Sequence, residues 1–226
     1  MRGVALITGA FGALGRDVVR VLAQDGWQLS LIDAGAAPAA DAEHHVLANV
    51  RLDDWQAAQS AVEAVVAHYG AVHAVVNLAG AFTWELLAES NPQAWRQMMD
   101  ANLMTAVHTC LAARLHVQAA GTRGRIVNIG AAAAERAASG MGAYTASKAA
   151  VRRLTEALAE ELKPHGATVN AVLPSIIDTP ANRQSMGDAD AGRWVSTDAL
   201  ARVVRFLLSD DAAPITGAGI PVTGRV

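Results

Sequence analysis

The chain has 226 residues and a formal net charge of -3, with 52% of residues hydrophobic but only 4% aromatic. Alanine supplies 50 of them, so the hydrophobic share reflects small side chains, and the length fits one α/β domain better than two small ones. A near-neutral balance without a basic stripe argues against nucleic acid, no apolar run reaches the roughly 18 residues of a membrane helix, and a lone Cys110 excludes an internal disulfide and suits a reducing cytoplasm.

Residues 4–7 form too short an apolar run for a signal peptide and read as a first strand, followed by a glycine-rich turn and a helix to about residue 23. Residues 28–33 read as a second strand, and 45–48 as a weak third. Helical spacing over 52–69 puts Ala61, Val62, Val65 and Val66 on one face. Strands at 74–77 and 125–129 flank a long helical pattern at 95–120. A further helix over 144–163 is stopped by Pro164 and Gly166. A strand at 168–173, a helix at 197–208 and a last strand at 219–222 complete the chain. The alanine-rich stretches 34–42 and 131–138 read as loops. This alternation predicts a single doubly wound Rossmann domain over 1–226. Its sheet has about seven parallel strands with helices on both faces, and ligands lie beyond the carboxyl ends of the strands.

The turn Thr8-Gly9-Ala10-Phe11-Gly12-Ala13-Leu14-Gly15 sits between a strand and a helix. Glycines there let the backbone approach a pyrophosphate, which the helix amides stabilise. Asp33 follows 18 residues after Gly15, at the end of the second strand. A carboxylate there accepts hydrogen bonds from ribose hydroxyls and repels a 2'-phosphate, so NAD is favoured over NADP, which stays as the alternative. Arg16 is close to the turn, but its direction is not fixed by sequence.

Tyr144-Thr145-Ala146-Ser147-Lys148 places a phenol and an ammonium four apart on one helix face. A nearby cation stabilises phenolate, so the pair suits proton exchange at neutral pH. The chain has only two Tyr and two Lys, which makes chance spacing a weak explanation.

With these motifs the chain resembles the short-chain dehydrogenase/reductase family over essentially its full length. The matching segments are the Gly9 to Gly15 turn, Asn77-Leu78-Ala79-Gly80, Asn102, Tyr144 with Lys148, Pro174 to Thr179, and the ending Ile215-Thr216-Gly217-Ala218-Gly219. The resemblance implies Tyr144 as general acid/base and Lys148 as a nicotinamide-ribose ligand that lowers the tyrosine pKa. It also implies Asn102 as holder of a proton-relay water and Thr179 at the nicotinamide end. Phe11, Gly12, Ala13, Leu14, Asn49, Val50, Asn77, Ala79, Gly80 and Pro174 would line the dinucleotide. A homodimer or homotetramer is expected by the same resemblance, paired through the two long helices.

The departures are specific. Ala13 stands where the family has its middle glycine, Leu78 replaces an asparagine and Ser175 a glycine. The family's catalytic serine lies 13 residues before the tyrosine, and that position is Ala131. Ser139 is the one loop serine weighed as a substitute. Within the family, the likeness is strongest to the dihydropteridine reductase branch, which also works without that serine. It rests on Gly12-Ala13-Leu14-Gly15, Ile32-Asp33, Gly130-Ala131, and the block from Asp178 through Asn182, Arg183, Ser185, Met186, Ala189 and Asp190 to Trp194. Asn102 fits the ordinary family pattern better.

The expected activity is therefore hydride transfer from NAD(P)H to a small molecule, with Tyr144 as acid and a quinonoid dihydropteridine or similar conjugated imine as acceptor. The alternatives are an ordinary short-chain alcohol/ketone dehydrogenase of 3-oxoacyl or polyol type, and a non-catalytic NAD-binding sensor. Ala131, Trp84, Met186 and Trp194 are candidate substrate contacts, the last two in a substrate loop over about 178–196. The seven histidines show no metal-ligand spacing, so no metal is expected.

Overall fold

The computed structural model describes residues 2–38 and 43–226; residues 39–42, part of the loop expected after the second strand, lie outside the described residues. In chain order the elements are β1 (Val4–Thr8), α1 (Ala13–Gln24), β2 (Gln28–Ile32), β3 (His45–Leu47), α2 (Trp55–Tyr69), β4 (Ala74–Asn77) and α3 (Pro92–Met99). A π-helical turn (Asp100–Met104) leads into α4 (Thr105–Ala119), then β5 (Arg125–Ile129), α5 (Gly142–Leu162) and β6 (Thr168–Pro174). The chain closes with β7 (Ile177–Asp178), α6 (Pro180–Met186), β8 (Val195–Ser196), α7 (Thr197–Leu207) and β9 (Gly219–Val222).

Every residue of β1, β4, β5 and β6 is buried, as a parallel sheet covered on both faces requires. The sheet has seven parallel strands in the order β3-β2-β1-β4-β5-β6-β9. Alternate residues of β1 feed two cores. Ala5 and Ile7 join Val18, Leu22, Leu200 and Val204 of α1 and α7. Val4 and Leu6 join Val62, Val65, Ala113, Val117 and Leu158 of α2, α4 and α5. The chain winds outward from β1 in one direction and from β4 in the other, so the connections part between these two strands. That switch point opens a crevice at their carboxyl ends.

Three local features depart from the sequence expectation. The long helix expected over 95–120 starts earlier, at Pro92, because the Asn91 side chain caps it by accepting from the amides of Gln93 and Ala94. It is also broken by the π turn, in which the Thr105 amide donates to the Asp100 carbonyl. The substrate loop contains a short helix, α6, and a two-stranded parallel patch of β7 and β8. Strands of two residues are too short to leave a periodicity in the sequence.

Candidate active site

The glycine-rich turn is tightly packed from behind. Gly9 has φ +64°, and a Cβ there would lie 2.7 Å from the Ala79 nitrogen; one on Gly15 would overlap the carbonyls of Gly9 and Ala10. Gly12 begins α1 with no side-chain cap, and Gly12 and Ala13 are exposed. The first-turn amides of α1 therefore open at the end of β1, where they suit a pyrophosphate. Both Asp33 carboxylate oxygens brace this mouth, one accepting from the Phe11 amide at 3.0 Å and the other from the Gly35 amide at 2.8 Å. Arg16 bends back to the same turn, its Nε donating to the Phe11 carbonyl at 3.1 Å. Asn49, with φ +58°, donates its amide to the Gly35 carbonyl, and Val50 donates to the Asp33 carbonyl. These bonds bring Asn49 and Val50 beside Asp33.

On the other side of the crevice, Thr8 Oγ1 accepts from the amides of Leu78 and Ala79 at 3.2 Å each. The Asn77 side chain turns inward instead of lining the crevice. Its Nδ2 donates to Asn128 Oδ1 at 2.8 Å and to Cys110 Sγ at 3.3 Å, and Asn128 Nδ2 donates onward to Thr155 Oγ1 at 2.9 Å. This chain ties β4, β5 and α5 together. Cys110 is fully enclosed, and burial pushes its thiol up to about 12.

Tyr144 and Lys148 rise from the first turns of α5. Lys148 is 5% exposed, and its Nζ donates to the Ile129 carbonyl at 2.8 Å. Burial pushes its ammonium down to about 8. Burial also pushes the Tyr144 phenol up to about 12. Desolvation disfavours the charged phenolate, and it is the cause of this upward direction. Among the described residues no protein group hydrogen-bonds the Tyr144 hydroxyl, so it is free to face a substrate.

Asn102 lies in the π turn and is 1% exposed. Its Oδ1 accepts from the Ala81 amide at 2.9 Å, while Nδ2 donates to the Ala81 carbonyl and to Ser147 Oγ, each at 3.0 Å. Ser147 Oγ in turn donates to the Tyr144 carbonyl at 2.7 Å. The Asn102 amide therefore braces the loop after β4 against the helix that carries Tyr144. Gly80 is the spacer: a Cβ there would fall 2.6 Å from Asn102 Oδ1 and 3.2 Å from Lys148 Nζ.

The remaining candidates divide. Ala131 is 4% exposed directly after β5, while Ser139 is exposed on the following loop. Pro174 closes β6, and Thr179 caps α6, its Oγ1 accepting from the Asn182 amide at 3.2 Å. Trp194 is buried and lines a cavity of about 140 Å³ together with Ile176, Met186 and Val226. Trp84 is exposed and lies against Gly140. Sequence reasoning missed Phe82, whose ring centroid is 4.9 Å from that of Tyr144 at an interplanar angle of 78°. Its signal was available: Phe82 and Trp84 are two aromatics, in a chain poor in them, immediately after Gly80. It also missed Ser147 and the Ile129 carbonyl, because only packing selects them. Among the described residues no three side chains form a metal site, and no helix is long and apolar enough to cross a membrane.

Comparisons with known proteins give the family. The short chain dehydrogenase family matches residues 3–190. The 3-oxoacyl-acyl-carrier-protein reductase FabG of Pseudomonas aeruginosa is 30% identical, with 98% of this chain and 96% of the relative covered. The Escherichia coli FabG is likewise 30% identical at the same coverage. Carveol dehydrogenase from Mycobacterium avium, solved in complex with NAD, superposes with a TM-score of 0.89 at 28% identity, covering 98% of this chain and 96% of that one. NAD+-bound xylitol dehydrogenase gives a TM-score of 0.90 at 25% identity, covering 99% and 98%. The curated relatives named here are 3-oxoacyl reductases, and none carries the dihydropteridine reductase name expected from the branch-level likeness. With the glycine cradle, the Tyr144 and Lys148 pair and a family match spanning most of the sequence, this chain belongs to the short-chain dehydrogenases, NAD(P)-dependent oxidoreductases of small molecules.

Proposed function

We propose that this chain reduces a small carbonyl or imine compound with NADH, using Tyr144 as the general acid. The observation that carries the reading is the Tyr144 and Lys148 pair, held by Ile129 and Asn102 beside the glycine cradle. The dinucleotide, when bound, supplies the hydride. Gly9, Gly12, Ala13, Leu14 and Gly15 would hold its phosphates, with Phe11, Asp33, Asn49 and Val50 at the adenosine end. Ala79, Gly80, Lys148, Pro174 and Thr179 would hold the nicotinamide end, and Asp33 favours NADH over NADPH. Tyr144 would deliver its proton from Oη to the substrate as the hydride arrives. Lys148 would hold the ribose, and Asn102, which braces the helix turn behind the phenol, would anchor the expected relay water.

Two substrate readings have separate support. The names of the curated relatives favour a ketone of 3-oxoacyl type. Ala131 favours a conjugated imine-type acceptor such as a quinonoid dihydropteridine, because such an acceptor has less need of a hydroxyl donor at a developing alkoxide. Exposed Leu111 and Leu115 on α4 support self-association through the long helices as a dimer or tetramer. The lone buried Cys110 supports a cytoplasmic setting.

The test is NADH oxidation over ketones and quinonoid dihydropterins, with Tyr144→Phe in parallel. Loss of about 10²–10⁴-fold in kcat with NADH binding within about threefold is expected. Turnover that survives the change overturns the acid. Tight NADH binding with no turnover in either protein favours a non-catalytic sensor.

A further inference from the structure

The loop after β4 carries two aromatic rings that proton delivery does not require, Phe82 beside Tyr144 and Trp84 against the loop that leads into α5. The Phe82 ring stands edge-on to Tyr144 with centroids 4.9 Å apart. Two residues on, the Trp84 indole lies against Gly140: a Cβ there would fall 2.8 Å from Cδ2 and closer still to the pyrrole edge. Gly140 has φ +75°, so glycine is favoured there twice over.

The loop is pinned on either side of the rings. Asn102 binds both the amide and the carbonyl of Ala81, at 2.9 and 3.0 Å. The Glu85 amide donates to the Gly140 carbonyl at 2.8 Å, and Ser90 Oγ donates to the Glu85 carboxylate at 2.7 Å. Yet between these pins Phe82 is 57% and Trp84 56% exposed. Apolar rings carried into water on a pinned backbone segment offer a binding surface whose backbone is ordered before a ligand arrives. Ala131 makes the position of the family serine apolar as well.

We propose that Phe82 and Trp84 form a stacking subsite for a planar, apolar ring that the substrate carries beside its reducible bond. The proposal rests on the reductase reading for the identity of that bond, but not for the ring preference. Flat rings gain from offset or edge-to-face contact beyond the area they bury. A straight acyl chain or a puckered ring does not.

The test uses two amides that the enzyme cannot reduce, 2-naphthamide and decahydro-2-naphthamide, titrated calorimetrically into protein saturated with NAD+. They share a carbon skeleton and differ in planarity. Naphthamide is expected to bind about tenfold tighter, a factor in the range of aromatic pair energies. Phe82→Leu and Trp84→Leu should each cut that preference to about twofold, while Phe82→Tyr and Trp84→Phe, which keep a ring, should retain most of it. Equal binding of the two amides by the native protein overturns the proposal, as does a preference that both leucine variants preserve. Because neither amide is turned over, the reductase reading stands or falls separately, on NADH oxidation.

Discussion

Lys148 Nζ donates a 2.8 Å hydrogen bond to the carbonyl of Ile129, the last residue of β5. This bond fixes where the ammonium stands, and the burial that accompanies it lowers its affinity for the proton to about 8. Two consequences follow for pH. Reduction requires a charged Lys148 and a protonated Tyr144, and Tyr144 holds its proton up to about 12. The alkaline limb of kcat/KM should therefore lie near pH 8 and belong to Lys148. Lys148→Arg, which stays charged, should move that limb upward, while a limb unmoved by the change would remove Lys148 from the profile.

The same group bears on stability. Its folded pKa lies below the unfolded value near 10.5, so the desolvation penalty is complete below about pH 8. From there to about 10.5 the unfolded chain holds a proton that the folded chain has released, and stability rises with pH. Lys148→Met should stabilise the protein by about 1–2 kcal/mol at pH 7 while abolishing turnover, with the gain shrinking between pH 8 and 10.5. Urea unfolding across that range measures it.

Ala131→Ser restores a hydroxyl at the position where the family has its catalytic serine. For a simple ketone the added donor should raise kcat/KM about tenfold or more, and for a quinonoid dihydropterin change it by less than about twofold. Parallel assays on the two substrates decide between the acceptor classes. A gain on both would place the missing donor in the path of either reaction.

Asp33 spends each carboxylate oxygen on a backbone amide, from Phe11 and Gly35, so its charge is held at the mouth of the glycine-rich turn. Asp33→Asn removes that charge and should shrink an NADH over NADPH preference by about tenfold. Fluorescence titration with both dinucleotides reads the ratio. An unchanged ratio would shift the selectivity to Arg16, which bends back to the same turn.

Gly140→Ala should destabilise the fold by about 1–3 kcal/mol, because the backbone has φ +75° and the new methyl overlaps the Trp84 indole. Adding Trp84→Ala to that variant should recover part of the loss, since only the overlap is relieved. Thermal melts of the single and double variants supply the comparison. Full recovery would mean the backbone is unstrained there.

By itself, the sequence determined the fold class and set Tyr144 four residues before Lys148. Strands covered on both faces read as short apolar runs, and the strand-to-helix glycine turn and Tyr144 with Lys148 are local spacings that need no tertiary contact to be seen. The branch-level likeness to dihydropteridine reductase was also read from local blocks, and there the comparisons support only the family, with 3-oxoacyl reductase names among the relatives. Tertiary structure decided the rest. It turned Asn77 inward, made the Asn102 amide a brace, buried Trp194 and stood Phe82 against Tyr144. It also set the burial that pushes the Tyr144 phenol up. Side-chain direction and desolvation depend on what packs from distant parts of the chain, and spacing along one element carries no record of that.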